Sequence, residues 1–64
     1  MLRIKTKWSD DSGLLVAKLY RDTDWQEWRV KFFKDGVYLE GNDYHSGDAS
    51  DAREVALSVL SDGY

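Results

Sequence analysis

Asp35-Gly36 constrains this chain more than any other feature, because it sits between two runs in which apolar and polar residues alternate. A type I′ turn needs positive φ at both central residues, which Gly adopts freely and Asp tolerates. The pair therefore predicts an antiparallel hairpin over roughly Glu27 to Asn42. A two-residue turn also fixes register. It sets Lys34 against Val37, Phe33 against Tyr38, Phe32 against Leu39, Lys31 against Glu40, Val30 against Gly41 and Arg29 against Asn42. Trp28, Val30, Phe32, Val37 and Leu39 then share a core face, and Arg29, Lys31, Phe33, Tyr38 and Glu40 share the outer one. The Phe33–Tyr38 and Lys31–Glu40 pairs fall directly opposite one another, each contributing about 0.2–1 kcal/mol.

The rest of the chain extends this pattern. Leu2 to Trp8 alternates with period two, which predicts a strand with Leu2, Ile4, Thr6 and Trp8 on one face and Arg3, Lys5 and Lys7 on the other. Ser9-Asp10-Asp11-Ser12-Gly13 is a cluster of turn formers that ends it. Leu14 to Tyr20 is mostly apolar with Lys18 its only charge, and reads as a more central strand. Arg21-Asp22-Thr23-Asp24 is the next break. After the hairpin, Gly41 to Gly47 reads as a polar loop. Ala49, Ala52, Val55, Ala56, Val59 and Leu60 then recur at helical spacing, with Asp48 or Ser50 as the amino-terminal cap and Gly63 at the carboxy-terminal one. The expected fold is α+β in a single domain over residues 1–64: a four-stranded antiparallel meander with one C-terminal helix across one face, β-β-β-β-α.

At 64 residues the chain has room for one core and buries only about 60% of the surface its unfolded form exposes. With no cysteine, disulfides and thiolate metal sites are excluded, and one histidine does not make an ordinary zinc site. Stability must come from dense packing or self-association, and nine aromatic residues favour packing. No apolar run approaches the roughly 20 residues of a membrane span. Met1-Leu2-Arg3-Ile4-Lys5 lacks the apolar stretch of a secretory signal, so the cytoplasm is the expected location. The net charge of −3 is unevenly spread. Arg3, Lys5 and Lys7 stand without an acid at the start, whereas Asp35, Glu40, Asp43, Asp48, Asp51, Glu54 and Asp62 face only Arg53 in the second half. A basic sheet attracting an acidic helix within the fold is the plainest expectation.

Catalytic patterns do not emerge, and no cofactor or metal is expected. Asp10-Asp11 and Asp22-Thr23-Asp24 fit the turn chemistry in which Asp binds its own backbone two residues on. No segment has the oxygen-ligand spacing of a calcium loop. His45, with Asp43 and Asp48 near it in sequence and Ser46 and Ser50 as neighbouring hydroxyls, forms no nucleophile elbow or triad and reads as a solvated loop histidine. The five glycines fall at turns, caps and strand ends, without a phosphate-binding spacing.

Two surfaces remain. One is the outer hairpin face of Arg29, Lys31, Phe33, Tyr38 and Glu40, with Arg3, Lys5 and Lys7 beside it. Such a face suits a protein partner, a second copy, or less readily nucleic acid, because the whole chain is acidic. The other is the acidic helix side, Asp48, Asp51 and Glu54, whose bland reading is a solvated exterior. In general character (very short, cysteine-free, acidic, aromatic-rich) the chain resembles the small proteins of bacteriophages and mobile elements. That resemblance implies a non-enzymatic inhibitor of a host protein, for example an anti-CRISPR or other anti-defence protein acting in the host cytoplasm. It carries over no individual residue. The alternative from another class is a nucleic-acid-binding module using the same sheet face.

Overall fold

The computed structural model describes residues 1–62. Five strands and a helix follow in order: β1 (Leu2–Ser9), β2 (Leu15–Asp22), β3 (Glu27–Lys34), β4 (Val37–Tyr38), β5 (Tyr44–Ser46) and α1 (Ala49–Asp62). The sheet is antiparallel throughout with order β1-β2-β3-β4, and β5 pairs with β3 beyond β4. The fold is thus the expected α+β meander with a C-terminal helix on one face. The predicted cap at Gly63 lies outside the described residues.

The Asp35-Gly36 turn forms as its chemistry requires, with φ of 52° and 79°. Phe33 pairs with Tyr38 and Lys34 with Val37. The Leu39 amide donates to the Phe32 carbonyl at 2.9 Å, which extends the hairpin by one step. Beyond that the predicted register fails. Val30 faces Tyr44 and Arg29 faces His45, not Gly41 and Asn42. Glu40-Gly41-Asn42 loops out, with Gly41 at φ 81° and the Asn42 amide reaching back to the Leu39 carbonyl. The uninterrupted register would put a side-chain-less Gly41 over Val30. Skipping three residues puts the Tyr44 ring there instead, packed against the core. The expected loop at Gly41–Gly47 therefore contains a strand, and the Lys31–Glu40 pair does not form.

A β-bulge corrects the reading of the first strand. Ile4 faces Tyr20 while Thr6 faces Leu19, so Lys5 has no cross-strand partner. An inserted residue exchanges the faces of everything on one side of it. Leu2 and Ile4 therefore share the face of Tyr20, and Thr6 and Trp8 the face of Leu19 and Ala17. Arg3, opposite Arg21, is separated from Lys7, opposite Lys18, so the three cations do not form one row. β1 is an outer strand, and a bulge with flanking cations is a common guard against edge-to-edge pairing.

The core is one-sided. Leu15, Ala17 and Leu19 of β2, Val30 and Phe32 of β3, and Ala52 and Ala56 of α1 are buried, with Trp8, Trp28, Leu39, Tyr44, Val59 and Leu60 packed around them. Ala17, Ala52 and Ala56 have no side chain beyond Cβ, which lets the helix lie close over the centre of the sheet. Val37, expected in the core, stands at the rim and is 63% exposed. Helix and sheet are also pinned by a polar joint: the Tyr44 hydroxyl donates to Asp51 Oδ2 at 2.5 Å. The ion pairs among the described residues, by contrast, cluster on Asp22, Asp24, Glu27, Arg29, His45 and the amino terminus, so attraction between a basic sheet and an acidic helix is not what joins the layers.

Candidate functional site

The face of the sheet turned away from the helix is the candidate site, and each member is placed by strand alternation. β3 contributes Arg29, Lys31 and Phe33, and β4 contributes Tyr38. β2 adds Val16, Lys18 and Tyr20 opposite Phe33, Lys31 and Arg29. β1 adds Ile4 and Lys7. Lys18, Tyr20, Arg29, Lys31, Phe33 and Tyr38 are half-buried, Lys7 and Ile4 exposed.

Aromatic rings and ammonium groups interleave across this face. Phe33 and Tyr38 lie with ring centroids 5.4 Å apart and planes tilted by 42°. Lys18 Nζ sits 4.4 Å from the Phe33 centroid, and Lys31 Nζ lies between Tyr20 at 5.4 Å and Tyr38 at 5.3 Å. Each contact of this kind contributes about 0.5–1 kcal/mol at an exposed site. Holding a lysine over a ring also keeps its charge at the surface in a defined place.

The acids near this face are engaged elsewhere. Asp43 Oδ1 accepts the Tyr38 hydroxyl at 2.6 Å, which ties the looped-out segment back to the sheet and raises the phenol above its usual pKa. Arg29 Nη2 lies 3.6 Å from Asp22 and 3.5 Å from Glu27, and Glu27 also meets His45 Nδ1 at 2.9 Å. Arg29 Nε is enclosed with no hydrogen-bond partner among the described residues. Arg29 therefore serves a charge network, whereas Lys18 and Lys31 face rings and Lys7 faces solvent.

Other sequence candidates are accounted for by structure. His45 partners Glu27, not Asp43 or Asp48, and Ser46, its neighbour along the strand, lies on the opposite face with its hydroxyl engaged by Asp48. Asp48 caps the helix through the Ser50 amide at 2.9 Å. Asp51 is held below the usual carboxylate range first by the Tyr44 hydroxyl and then by Ser46. Glu54 and Glu40 are exposed, Glu40 in the looped-out segment and near enough to Tyr38 for its charge to help raise the phenol pKa. The acidic helix side thus does not form a continuous patch with the sheet face. Asp10 binds Ser12 and the Leu15 amide, as turn chemistry predicts, and Ser12 lowers its pKa. Among the described residues there is no group of three or more metal-ligating side chains, and no helix is long and apolar enough to cross a membrane.

Lys18 and Tyr20 are the members that the sequence reading missed, because Leu14-Leu15-Val16-Ala17 conceals the alternation. The signal was available from Ala17 onward, where Ala17 and Leu19 turn inward and Lys18 and Tyr20 outward. No protein-family model matches the chain, and no curated protein or solved structure shows significant similarity to it.

Proposed function

We propose that this protein is a non-enzymatic binding module that docks through the open face of its sheet onto an acidic surface of a partner protein. The interleaved Lys18–Phe33 and Tyr20–Lys31–Tyr38 contacts carry this reading. They present aromatic area and undispersed positive charge together, at positions fixed by rigid strands. Aromatic residues are enriched as interface anchors, and a cationic field suits an acidic partner and speeds encounter. A small inhibitor of the phage type, acting in the cytoplasm on a host protein, is the class of protein this fits.

One observation favours a second reading, that the face binds single-stranded nucleic acid: Tyr20, Lys18 and Lys7 join the rings and cations of the hairpin on the open face. Sheets with exposed rings and cations stack bases in just this manner. Affinity capture from bacterial lysate, run in parallel with wild type, Lys31→Glu and Tyr38→Ala, tests the first reading. A specific protein held by wild type and lost by both variants is expected. Titration with single- and double-stranded oligonucleotides at low and high salt tests the second. Tight binding that weakens steeply with salt would replace the protein-partner reading.

A further inference from the structure

The two ends of the sheet carry complementary features. At one end the β2–β3 turn holds out Trp25, which at 77% exposure is the most exposed large apolar side chain among the described residues. The turn that carries it is tightly organised. Asp22 Oδ1 accepts the Asp24 amide at 3.0 Å and the Trp25 amide at 3.4 Å, and Gln26 takes a positive φ of 50°. Asp22 itself is buried and anchored by Arg29 and the terminal amino group. The backbone that carries the indole is thus pre-organised, which lowers the entropy lost on docking. Acids flank it in sequence: Asp24, whose exposed carboxylate also meets the terminal amino group, and Glu27, which is shared with Arg29 and His45.

At the opposite end, where the β1–β2 connection meets the Asp35-Gly36 turn, a surface cleft of about 590 Å³ opens. Apolar Trp8, Leu14, Val16 and Phe33 line it with Lys7 and Lys18, against one acid, Asp35. An aromatic side chain flanked by carboxylates is the chemistry such a cleft takes, ring against apolar surface and acids toward lysines. The chain carries that chemistry itself, but out of its own reach. β2 spans eight residues between the two ends, which at about 3.3 Å per residue is roughly 25 Å.

We propose that the protein associates head to tail, the Trp25 turn of one copy seated in the Lys7–Lys18 cleft of the next. A symmetric sheet-on-sheet pair would instead bring Lys18 and Lys31 of two copies together, which like-charge repulsion opposes. The head-to-tail contact is heterologous, so each added copy leaves one free turn and one free cleft, and growth continues unless a ring closes. The cleft shares Lys7, Lys18 and Phe33 with the open face, so a neighbouring copy and a partner protein compete for it. The association itself needs only the chain and is read with no partner present.

Sedimentation velocity of the full chain from micromolar to millimolar concentration tests it, with no ligand present. The mean mass of wild type should rise with concentration and fall again at high salt. Trp25→Ala should weaken association about tenfold or more, the loss typical of an aromatic anchor. Trp25 stands outside the core, so its removal should leave the circular dichroism melt unchanged. Lys18→Glu should weaken association likewise, with Lys7→Glu, at an exposed position, as its replacement if the first variant melts early. The decisive arm mixes Trp25→Ala with the lysine variant: one keeps the cleft and the other the turn, so they should form a one-to-one pair that grows no further. Wild type that stays a single chain at millimolar concentration overturns the proposal. So does Trp25→Ala that associates like wild type, or a mixture that yields no pair.

Discussion

Asp22 shows how much one side chain organises here. It is buried at 5% exposure, yet its two oxygens serve several partners: two amides of the following turn, the Arg29 guanidinium and the terminal amino group. A buried carboxylate is tolerated only when it is paired and hydrogen-bonded in this way. Removing it leaves two turn amides and part of the Arg29 charge without their acceptor. Asp22→Ala should therefore cost about 2–3 kcal/mol, because hydrogen bonds to a charged group contribute about 1.5–3 kcal/mol and the orphaned donors add to the loss. Asp22→Asn keeps an acceptor for the amides and should cost distinctly less. Urea denaturation of the three proteins measures both. An Ala variant within experimental error of wild type would show that water replaces the carboxylate at no cost and that the turn is looser than its bonding implies.

The joint between β5 and α1 is the element-scale device, and it gives a pH signature. The bond from Tyr44 to Asp51 needs a protonated phenol and an ionised carboxylate, so it raises the Tyr44 pKa and, with help from Ser46, lowers that of Asp51. A carboxylate with a lowered folded pKa contributes stability that is present above its unfolded value and lost as pH falls through the folded one. A phenol with a raised folded pKa contributes stability that is present below its unfolded value and lost as pH rises through the folded one. The joint is thus intact through neutrality and is lost only as pH falls through the lowered Asp51 pKa, below the usual carboxylate range, or rises through the raised Tyr44 pKa, above the usual phenol range. Tyr44→Phe should lower stability at neutral pH and bring the two curves together at both extremes. Denaturation midpoints across pH test this, and curves that stay parallel from acid to alkali would reject it. The joint also explains what the sequence concealed. Asp35-Gly36 was legible because its constraint is local: the backbone of that turn needs those residue types. The loop at Glu40–Asn42 and the bulge at Lys5 answer to distant residues, Tyr44 seeking Val30 and Asp51 in one case and Trp8 seeking Ala17 in the other. Leu2, Ile4, Thr6 and Trp8 alternate as evenly as an unbulged strand would, so nothing in that segment announces the break. The site was legible to the same extent. Phe33 and Tyr38 follow from the turn, whereas Lys18 and Tyr20 depend on which side of β2 the helix covers.

At the scale of the whole molecule, a two-layer domain of this size divides its aromatic residues between two tasks. Trp8, Trp28, Phe32 and Tyr44 belong to the side that α1 covers, Phe32 buried outright and the others packed around the core. Tyr20, Phe33 and Tyr38 lie on the side that nothing among the described residues covers. Those rings do contribute locally, through the Phe33–Tyr38 contact and the lysines above them, and such pairs contribute about 0.5–1.5 kcal/mol. That is small beside the 3–5 kcal/mol lost when a buried Phe is cut to Ala. Replacing Phe33 and Tyr38 together by Thr, which keeps strand propensity, should therefore leave a cooperatively folded protein destabilised by about 1–2 kcal/mol. The same double variant should lose partner capture altogether. Phe32→Ala should do the reverse in kind, lowering stability severely, with any loss of capture following the unfolded fraction. Thermal melts set beside capture from lysate separate the two. If Phe33→Thr/Tyr38→Thr unfolds as readily as Phe32→Ala, the outer rings are part of the core in all but position, and the open face has no claim to be the working surface. If it folds and still captures its partner, the contact lies elsewhere, and the exposed Trp25 turn becomes the surface to examine.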